Sequence, residues 1–483
     1  MEAGLPDDPR LTRRGEAPEV GIVHLGPGAF FRAFQAIYTD EAMAAAGGDW
    51  GICAVSLQSP TARDQLAPQG GVYTSVTLAP EGPEYRVIGS IARVLVAPDD
   101  PEAVLAAMAA PEVRVVSLTI TEKGYCHEPS TGRLRLDHPG IAADLANPSA
   151  PSTAIGFLVE ALDRRRVAGS APFTVLSCDN LPDNGHLVAR VVADFARARD
   201  PALADWIVAN VRFPATMVDR ITPAPTQDDI DRLAEAQGYR DEGCVMHEPF
   251  RQWVIEDEFT DGARPRWELA GAQLVQSVAA FETMKLRCLN GTHSALAYLG
   301  YLAGHETIAD AVTDAPFAAL CRHLWTHEIV PTVPQPEGED LAAYCDALLE
   351  RYRNPAIRHR TWQIAMDGSQ KLPQRLLGTV RDNLAAGRPV PGLALAVAGW
   401  MRYVGGVDEA GNRIDVRDPL AARLKVASDR ADDAAGKVAA LLAIEDVFPP
   451  DLTADAGFCT AVTEAYDGLS RHGARAMVEA LTA

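Results

Sequence analysis

The sequence predicts an α/β fold in two parts: a doubly wound parallel sheet, then a mainly α-helical domain. Three observations predict it. Short apolar runs alternate with helix-like stretches through the first half, and a glycine turn follows the first of those runs. From about Ala272 onward β-rich runs become scarce and helix-like segments take over. Strands alternating with helices argue for parallel pairing, because each parallel crossover lays a helix on a face of the sheet.

Taken in order, Val20 to Leu25 (VGIVHL) reads as the first strand and ends in Gly26-Pro27-Gly28. Ala29 to Ala46 reads as one helix, and Gly51 to Leu57 as a second buried strand. Tyr85 to Leu95 holds a β-branched stretch, and Pro101 to Ala109 an alanine-rich helix. Val113 to Thr121 is a strong strand, Ser152 to Arg166 a helix, Phe173 to Cys178 a strand and His186 to Ala198 a helix. Thr222 to Asp241, with its prolines and charges, is the nearest thing to a linker. These patterns place one domain at 1–274 and a helical one at 275–483, without internal repeats.

A chain of 483 residues suits two or three domains. Its eight cysteines are scattered with no CxxC pair, which predicts reduced thiols and a cytoplasmic protein. The polar start predicts no signal peptide, and no uncharged apolar run approaches membrane-spanning length. A net charge of −21 argues against nucleic acid and against an anionic membrane surface as partners. It leaves room for a small anion, since a local basic pocket overrides the global field.

Two segments carry chemistry. The first is His24-Leu25-Gly26-Pro27-Gly28-Ala29-Phe30-Phe31-Arg32, set between a strand and a helix. Glycines there permit a tight turn and let the backbone approach a pyrophosphate, which the helix N-terminus then faces. The usual third glycine is absent. The second strand ends Val55-Ser56-Leu57-Gln58-Ser59, without the acid that holds ribose hydroxyls, so the segment does not decide between NAD and NADP. The second segment runs from Met284 to His293. On an α-helix, Glu282, Lys285, Asn290 and His293 fall within an arc of roughly 140°. A lysine desolvated in a cleft can exchange a proton with an alcohol, and an asparagine amide can donate to the developing oxyanion. Taken alone, the pattern equally describes a solvated polar stripe.

The spacing Lys285-x4-Asn290-x2-His293 resembles the signature of the polyol-specific long-chain dehydrogenases, the mannitol dehydrogenase and fructuronate reductase family. HLGPGAFFRAFQAIYTD, SLTITEKGYC, FTVLSCDNLPDNGH, TMVDRITPA, EPFRQWVIED, TWQIAMDGSQKLPQR and GWMRYVGGVDEAGN all look like family blocks, so the resemblance covers nearly the whole chain. It implies an N-terminal Rossmann-type domain, a mainly helical C-terminal domain and a metal-independent site in the cleft between them. It implies Lys285 as general acid/base, Asn180 and Asn290 as oxyanion donors, and Asp219, His293 and Lys371 as substrate contacts. Glu282 becomes a candidate for the proton path. The cofactor set is Ile22, Gly26, Gly28, Ala29, Phe30, Arg32 and Ala33, holding NAD, with NADP as the variant. Cys244-x-x-His247 is the nearest thing to a zinc pattern and reads as incidental, because a site needs three or four ligands.

The family loop commonly reads AFHRAHQA; Phe31 and Phe34 stand here in place of both histidines. Gln363 stands where mannitol dehydrogenases tend to have arginine, and its surroundings resemble the fructuronate reductase branch. The resemblance therefore implies reduction of the C2 ketone of D-fructuronate to D-mannonate, with mannitol–fructose interconversion as the alternative. Lys371 and Arg375 are the candidate cations for the substrate carboxylate. A nucleotide-binding protein that has lost catalysis would be expected to lack Lys285. The expected partners are a small sugar acid, ketose or polyol, and the expected state is a monomer or weak oligomer.

Overall fold

Val20–Leu25 (β1) and Gly51–Ser56 (β2) are apolar without alternation, and a strand reads that way when both faces are covered. The computed structural model describes residues 9–483 and buries both strands almost completely. The chain forms two compact units, Met1–Ala279 and Ala280–Ala483.

In the first unit the further strands, in chain order, are β3 (Tyr73–Ala79), β4 (Gly82–Ile88), β5 (Ile91–Val96), β6 (Val115–Leu118) and β7 (Thr174–Ser177). They continue with β8 (Thr216–Asp219), β9 (Val245–His247), β10 (Gln252–Glu256) and β11 (Gln273–Val275). Five of them form an all-parallel sheet in the order β5-β2-β1-β6-β7. The strand order reverses beside β1, and crevices for ligands open outside the carboxyl ends of strands at such a point. Side-chain alternation then sorts two cores. Val23, Leu25, Cys53, Val55, Val116 and Leu118 face one cluster. Ile22, Ile52, Ala54 and Val115 face the other, where Phe34, Tyr38, Trp253 and Trp267 pack ring against ring.

The doubly wound sheet matches the sequence expectation, and several details differ from it. The expected helix Ala29 to Ala46 breaks at Phe34, whose backbone leaves helical space, giving helices Ala29–Ala33 and Gln35–Ala46. The Phe34 ring is fully buried against Phe30, Tyr38 and Trp253, and that packing coincides with the kink. The stretch Tyr85 to Leu95 is divided between two strands in different sheets. The expected linker Thr222 to Asp241 holds the helix Gln227–Gln237, started by a capping box between Thr226 and Asp229. Two small sheets, β4-β3-β9 and β11-β10-β8, have no counterpart in the sequence reading.

The second unit is helical. Thr292–Leu302 and Pro391–Val404 are buried nearly all round, as helices at the centre of a core are. Three short stretches, Lys285–Gly291, Leu324–Ile329 and Pro373–Leu377, are π-helical. Glu328, on the second of them, is buried and accepts hydrogen bonds from Gly392 N (2.7 Å) and Leu393 N (2.8 Å), which satisfies the first turn of the central helix. Among the described residues no helix is long and apolar enough to cross a membrane. All eight cysteines are free thiols.

One turn locks the first unit. Gly26 has φ +95°, and a Cβ added there would lie 2.2 Å from the carbonyl oxygen of Thr119, just after β6. Gly26→Ala therefore combines a strained backbone with a backbone clash. The expected loss is at least about 2 kcal/mol, measured by chemical denaturation. An unchanged denaturation midpoint would show that the turn can relax at no cost.

Candidate active site

The cavity at the carboxyl ends of β1, β2 and β6 measures about 770 Å³. Gly26, Gly28 and Arg32 line it from one side, Ser56 to Ser59 from the end of β2, and Thr119 to Thr121 from the end of β6. Gly28 faces open space, because an added Cβ would meet nothing closer than Gly26 O at 4.0 Å. Arg32 is 6% exposed; its Nε has no hydrogen-bond partner, and burial lowers its pKa. A buried guanidinium with an unmet donor at a glycine turn is suited to a phosphate oxygen. Among the described residues that line the cavity there is no Asp or Glu. Of the other expected cofactor residues, Ile22 and Ala33 are fully buried in the aromatic core beneath the cavity, and Ala29 and Phe30 are half-buried and outside its lining.

His24 fixes the turn from below. It pairs in register with Ser117 across β1 and β6, and both side chains lie on the same face. Its Nδ1 is 2.8 Å from Ser117 Oγ, and its Nε2 is 2.9 Å from Thr119 Oγ1 and 3.2 Å from Gly26 O. A carbonyl only accepts, so the network assigns the proton to Nε2. Phe31 stacks on this imidazole at 3.6 Å, which accounts for an aromatic residue at that place in the loop. Burial pushes the pKa of His24 down to about 3. His247, in β9, is likewise lowered to about 3 by burial, with both ring nitrogens engaged, by Ser75 Oγ (2.6 Å) and Glu248 O (2.9 Å).

Asp179, just after β7, holds the turn that follows β6. Its carboxylate accepts from Ile120 N (3.0 Å), Thr121 N (2.9 Å) and Tyr125 Oη (2.7 Å). Burial raises its pKa, and those three donors oppose the rise. Thr121 is β-branched yet has φ +63°, a strained conformation that persists because its surroundings fix it. Asn180 follows on the exposed turn after β7. Asn184 ties that turn to β8, donating to Asp179 O and Thr216 O (both 2.9 Å) and accepting from Thr216 N. Asp219 ends β8 and is buried. Arg220 next to it donates to Ala33 O (2.6 Å), joining this strand end to the glycine-turn helix. His24, Asp179 and Asn184 were not singled out in the sequence reading. A polar residue inside an apolar strand, or directly after one, was the signal for the first two.

In the second unit Lys285 is buried and opens the π-helical turn Lys285–Gly291. Residues five apart stand roughly 140° apart on an α-helix. The wider π turn, with bonds from i to i+5, brings Lys285 and Asn290 much closer to one line, so the α-helical wheel is corrected here. Neighbouring side chains serve backbone oxygens of that turn: Trp325 Nε1 donates to Cys288 O (2.9 Å) and Tyr352 Oη to Leu289 O (2.8 Å). Gly291 has no room for a side chain, because a Cβ would lie 2.7 Å from Arg375 O. Glu282 is half-buried one turn before Lys285.

His293 is 6% exposed, and its Nε2 has no hydrogen-bond partner. Its ring meets Tyr352 at 5.1 Å and His359, edge-on, at 4.7 Å. Arg375 donates to Ser294 Oγ (3.2 Å), and among the described residues no carboxylate pairs with it. Lys371 Nζ donates to Met366 O (2.6 Å) and Ile364 O (3.4 Å). Burial, then the charge of Arg375, brings Lys371 down to about 8. Burial and the surrounding cations hold His293 well below its ordinary value and His359 at about 4. The second unit thus gathers Lys371, Arg375, His293 and His359 into one nitrogen-rich cluster. Gln363 is exposed on the short helix Thr361–Ala365. Among the described residues no group of three His, Cys, Asp or Glu is arranged to hold a metal ion.

Two family models match the chain: the mannitol dehydrogenase Rossmann domain over residues 20–269 and the mannitol dehydrogenase C-terminal domain over 277–470. A D-mannonate oxidoreductase of Escherichia coli (strain K12) is 51% identical over 96% of each chain. A mannitol 2-dehydrogenase of Pyrenophora tritici-repentis (strain Pt-1C-BFP) is 42% identical, covering 97% of this chain and 83% of its own. The structure of Pseudomonas fluorescens mannitol 2-dehydrogenase in ternary complex with NAD and D-mannitol superposes with a TM-score of 0.84 at 39% identity, over 99% of this chain and 97% of that one.

Two outcomes follow from this geometry. His24 and His247 are neutral when folded and titrate near 6.5 when unfolded, so the unfolded chain binds the extra protons. Their contribution is present above pH 6.5 and is lost as pH falls from 6.5 toward 3, at about 1.4 kcal/mol per pH unit for each. Urea midpoints measured from pH 7 to pH 5 should fall less steeply for His24→Asn than for the parent chain, and equal slopes would count against the assignment. Lys285→Ala should abolish turnover and leave dinucleotide affinity within about twofold, read by cofactor fluorescence; near-normal turnover would remove the lysine from the chemistry.

Proposed function

This chain belongs to the mannitol dehydrogenase family, and from that premise we propose that it reduces the C2 ketone of D-fructuronate to D-mannonate, reversibly. It is a dehydrogenase of polyol or sugar-acid secondary alcohols; the choice of the acid is the proposal. The observation that carries it is Arg375, half-buried beside Lys371, His293 and His359 and paired with no carboxylate among the described residues. A carboxylate substrate supplies the missing charge. A neutral ketose leaves a desolvated guanidinium without a counterion, which is costly. The D-mannonate oxidoreductase relative, at 51% identity, supports the same choice. Fructose–mannitol interconversion is the second reading, and it draws on the mannitol 2-dehydrogenase relatives.

The first unit's cavity fits NAD: Gly26 makes the turn, Gly28 leaves space for the pyrophosphate, and Arg32 offers its unmet Nε–H. NADP is compatible, because no acid at the end of β2 opposes a further phosphate. The nicotinamide ring, when bound, supplies the hydride for C2. The chain's own residues do the rest. Lys285 gives its proton to the C2 oxygen as that oxygen becomes a hydroxyl, and takes it back in the reverse direction. The amides of Asn180 and Asn290 donate to the same oxygen while it carries negative charge. Asp219 and His293 hold substrate hydroxyls, and Glu282 passes the proton between Lys285 and solvent. Lys371 and Arg375 hold the carboxylate. Gln363, neutral, orients the hydroxylated end without adding charge.

The test is near-ultraviolet nicotinamide absorbance with purified protein, comparing D-fructuronate with D-fructose and NADH with NADPH. D-fructuronate should lead in kcat/KM by roughly 100-fold or more, the worth of one charge-assisted pair in a desolvated site. Equal values, or a lead for fructose, would move the chain to the mannitol dehydrogenases.

A further inference from the structure

The substrate reading rests on Lys371 and Arg375, yet the nitrogen-rich cluster of the second unit contains one more group with no task. His359 lies at the start of the block RHRTWQIAMDG, outside every role derived above. Its Nδ1 is buried and has no hydrogen-bond partner. The ring meets His293 edge-on at 4.7 Å, and the Nε2 of His293 is likewise buried and unmet. Each orphaned ring nitrogen is costly, because a buried polar atom without a partner costs about 1–3 kcal/mol.

The backbone is arranged to hold His359 there. Arg358, just before it, has φ +50°, which a non-glycine residue rarely adopts. The segment is pinned on both sides: Ile308 N donates to His359 O (3.0 Å), and Thr361 N donates to Glu306 O (3.0 Å). Strain that the surroundings fix in place tends to mark functional positions. The charged groups that act on His359, Arg375 and Lys371, are both basic. Such surroundings repel a cation and leave the ring suited to donate a hydrogen bond to an anion.

We propose that His359 is a specificity-determining residue whose ring joins Arg375 in holding the carboxylate of a sugar-acid substrate. The assignment rests on the acid-substrate reading and deepens it. His359 gives the acid an extra hydrogen bond and gives a neutral ketose nothing, so its role is discrimination and not proton transfer at C2.

The experiment measures kcat/KM for D-fructuronate and for D-fructose, with NADH, on the full chain and on His359→Ala and His359→Asn. Thermal melting of each protein checks the fold. His359→Ala should lose about 10–100-fold on the acid, the worth of one charge-assisted hydrogen bond, while fructose activity stays within about twofold. Asparagine keeps a short side-chain amide donor, so His359→Asn should recover at least about threefold of the acid activity over alanine. Equal losses on both substrates, an unchanged acid value, or no recovery by asparagine in a normally melting protein would overturn the assignment. If His359→Ala does not fold, the ratio of the two substrates in His359→Asn against the parent decides in the same way. A parent chain that itself prefers fructose would defeat the substrate reading and this proposal together. A parent that prefers the acid, with variants that lose both substrates alike, would defeat the role of His359 alone.

Discussion

The close approach of two loops governs the first unit. The turn after β1 touches the turn after β6 so tightly that only a glycine fits at position 26. The cavity opens beside that contact, with Gly26 and Thr119 both in its lining. His24 and Ser117 clamp the strands from within the aromatic core, and Thr119 donates to Gly26 O (2.7 Å) across the contact. Asp179 then holds the far lip of the cavity, including a threonine that would otherwise leave its strained conformation. His24 and Ser117 are fully buried beside Phe31, so the hydrogen bond between them acts in a low dielectric. Fold and binding surface are therefore one object here. The same few bonds that complete the sheet also aim the glycine turn.

The second unit solves a different problem. Lys285, Asn290 and His293 follow one another along one continuous helical stretch, and an α-helix spreads residues five apart around its circumference. The π turn gathers Lys285 and Asn290, and side-chain donors from Trp325 and Tyr352 serve its carbonyls. Gly291 lets the strand of chain around Arg375 come within backbone contact of that turn. The irregular segment is thus held from three sides, and such overdetermination is what keeps a π turn from relaxing.

The doubly wound sheet was legible because most of its strands are mainly apolar without alternation and helix-like stretches fall between them. The small sheets were not, because their partners are remote: Ser75 and His247 meet across 172 positions. The helix Gln227–Gln237 was hidden by neighbouring prolines, although its Thr226–Asp229 capping box stood in the sequence. Nothing in residue type announces a π turn, so the helical wheel around Lys285 was drawn with the wrong period. In the site, glycines and the lysine block stood out by spacing. His24 and Asp179 did not, because each acts through a bond to a residue far away in the chain, and His359 did not, because its ring meets His293 66 positions away and a single sequence carries no record of that contact.

The basic lining of the cavity has a kinetic side. The chain as a whole carries a charge of −21, while the described residues that line the cavity include Arg32 and Lys123 and no carboxylate. An anionic dinucleotide is repelled at long range and attracted only at contact. Mobile ions shrink the repulsive field to about 8 Å at physiological ionic strength, and buried contacts are screened far less. Moderate salt therefore hastens the encounter without an equal loss of grip, the reverse of what a positively charged enzyme experiences with the same ligand.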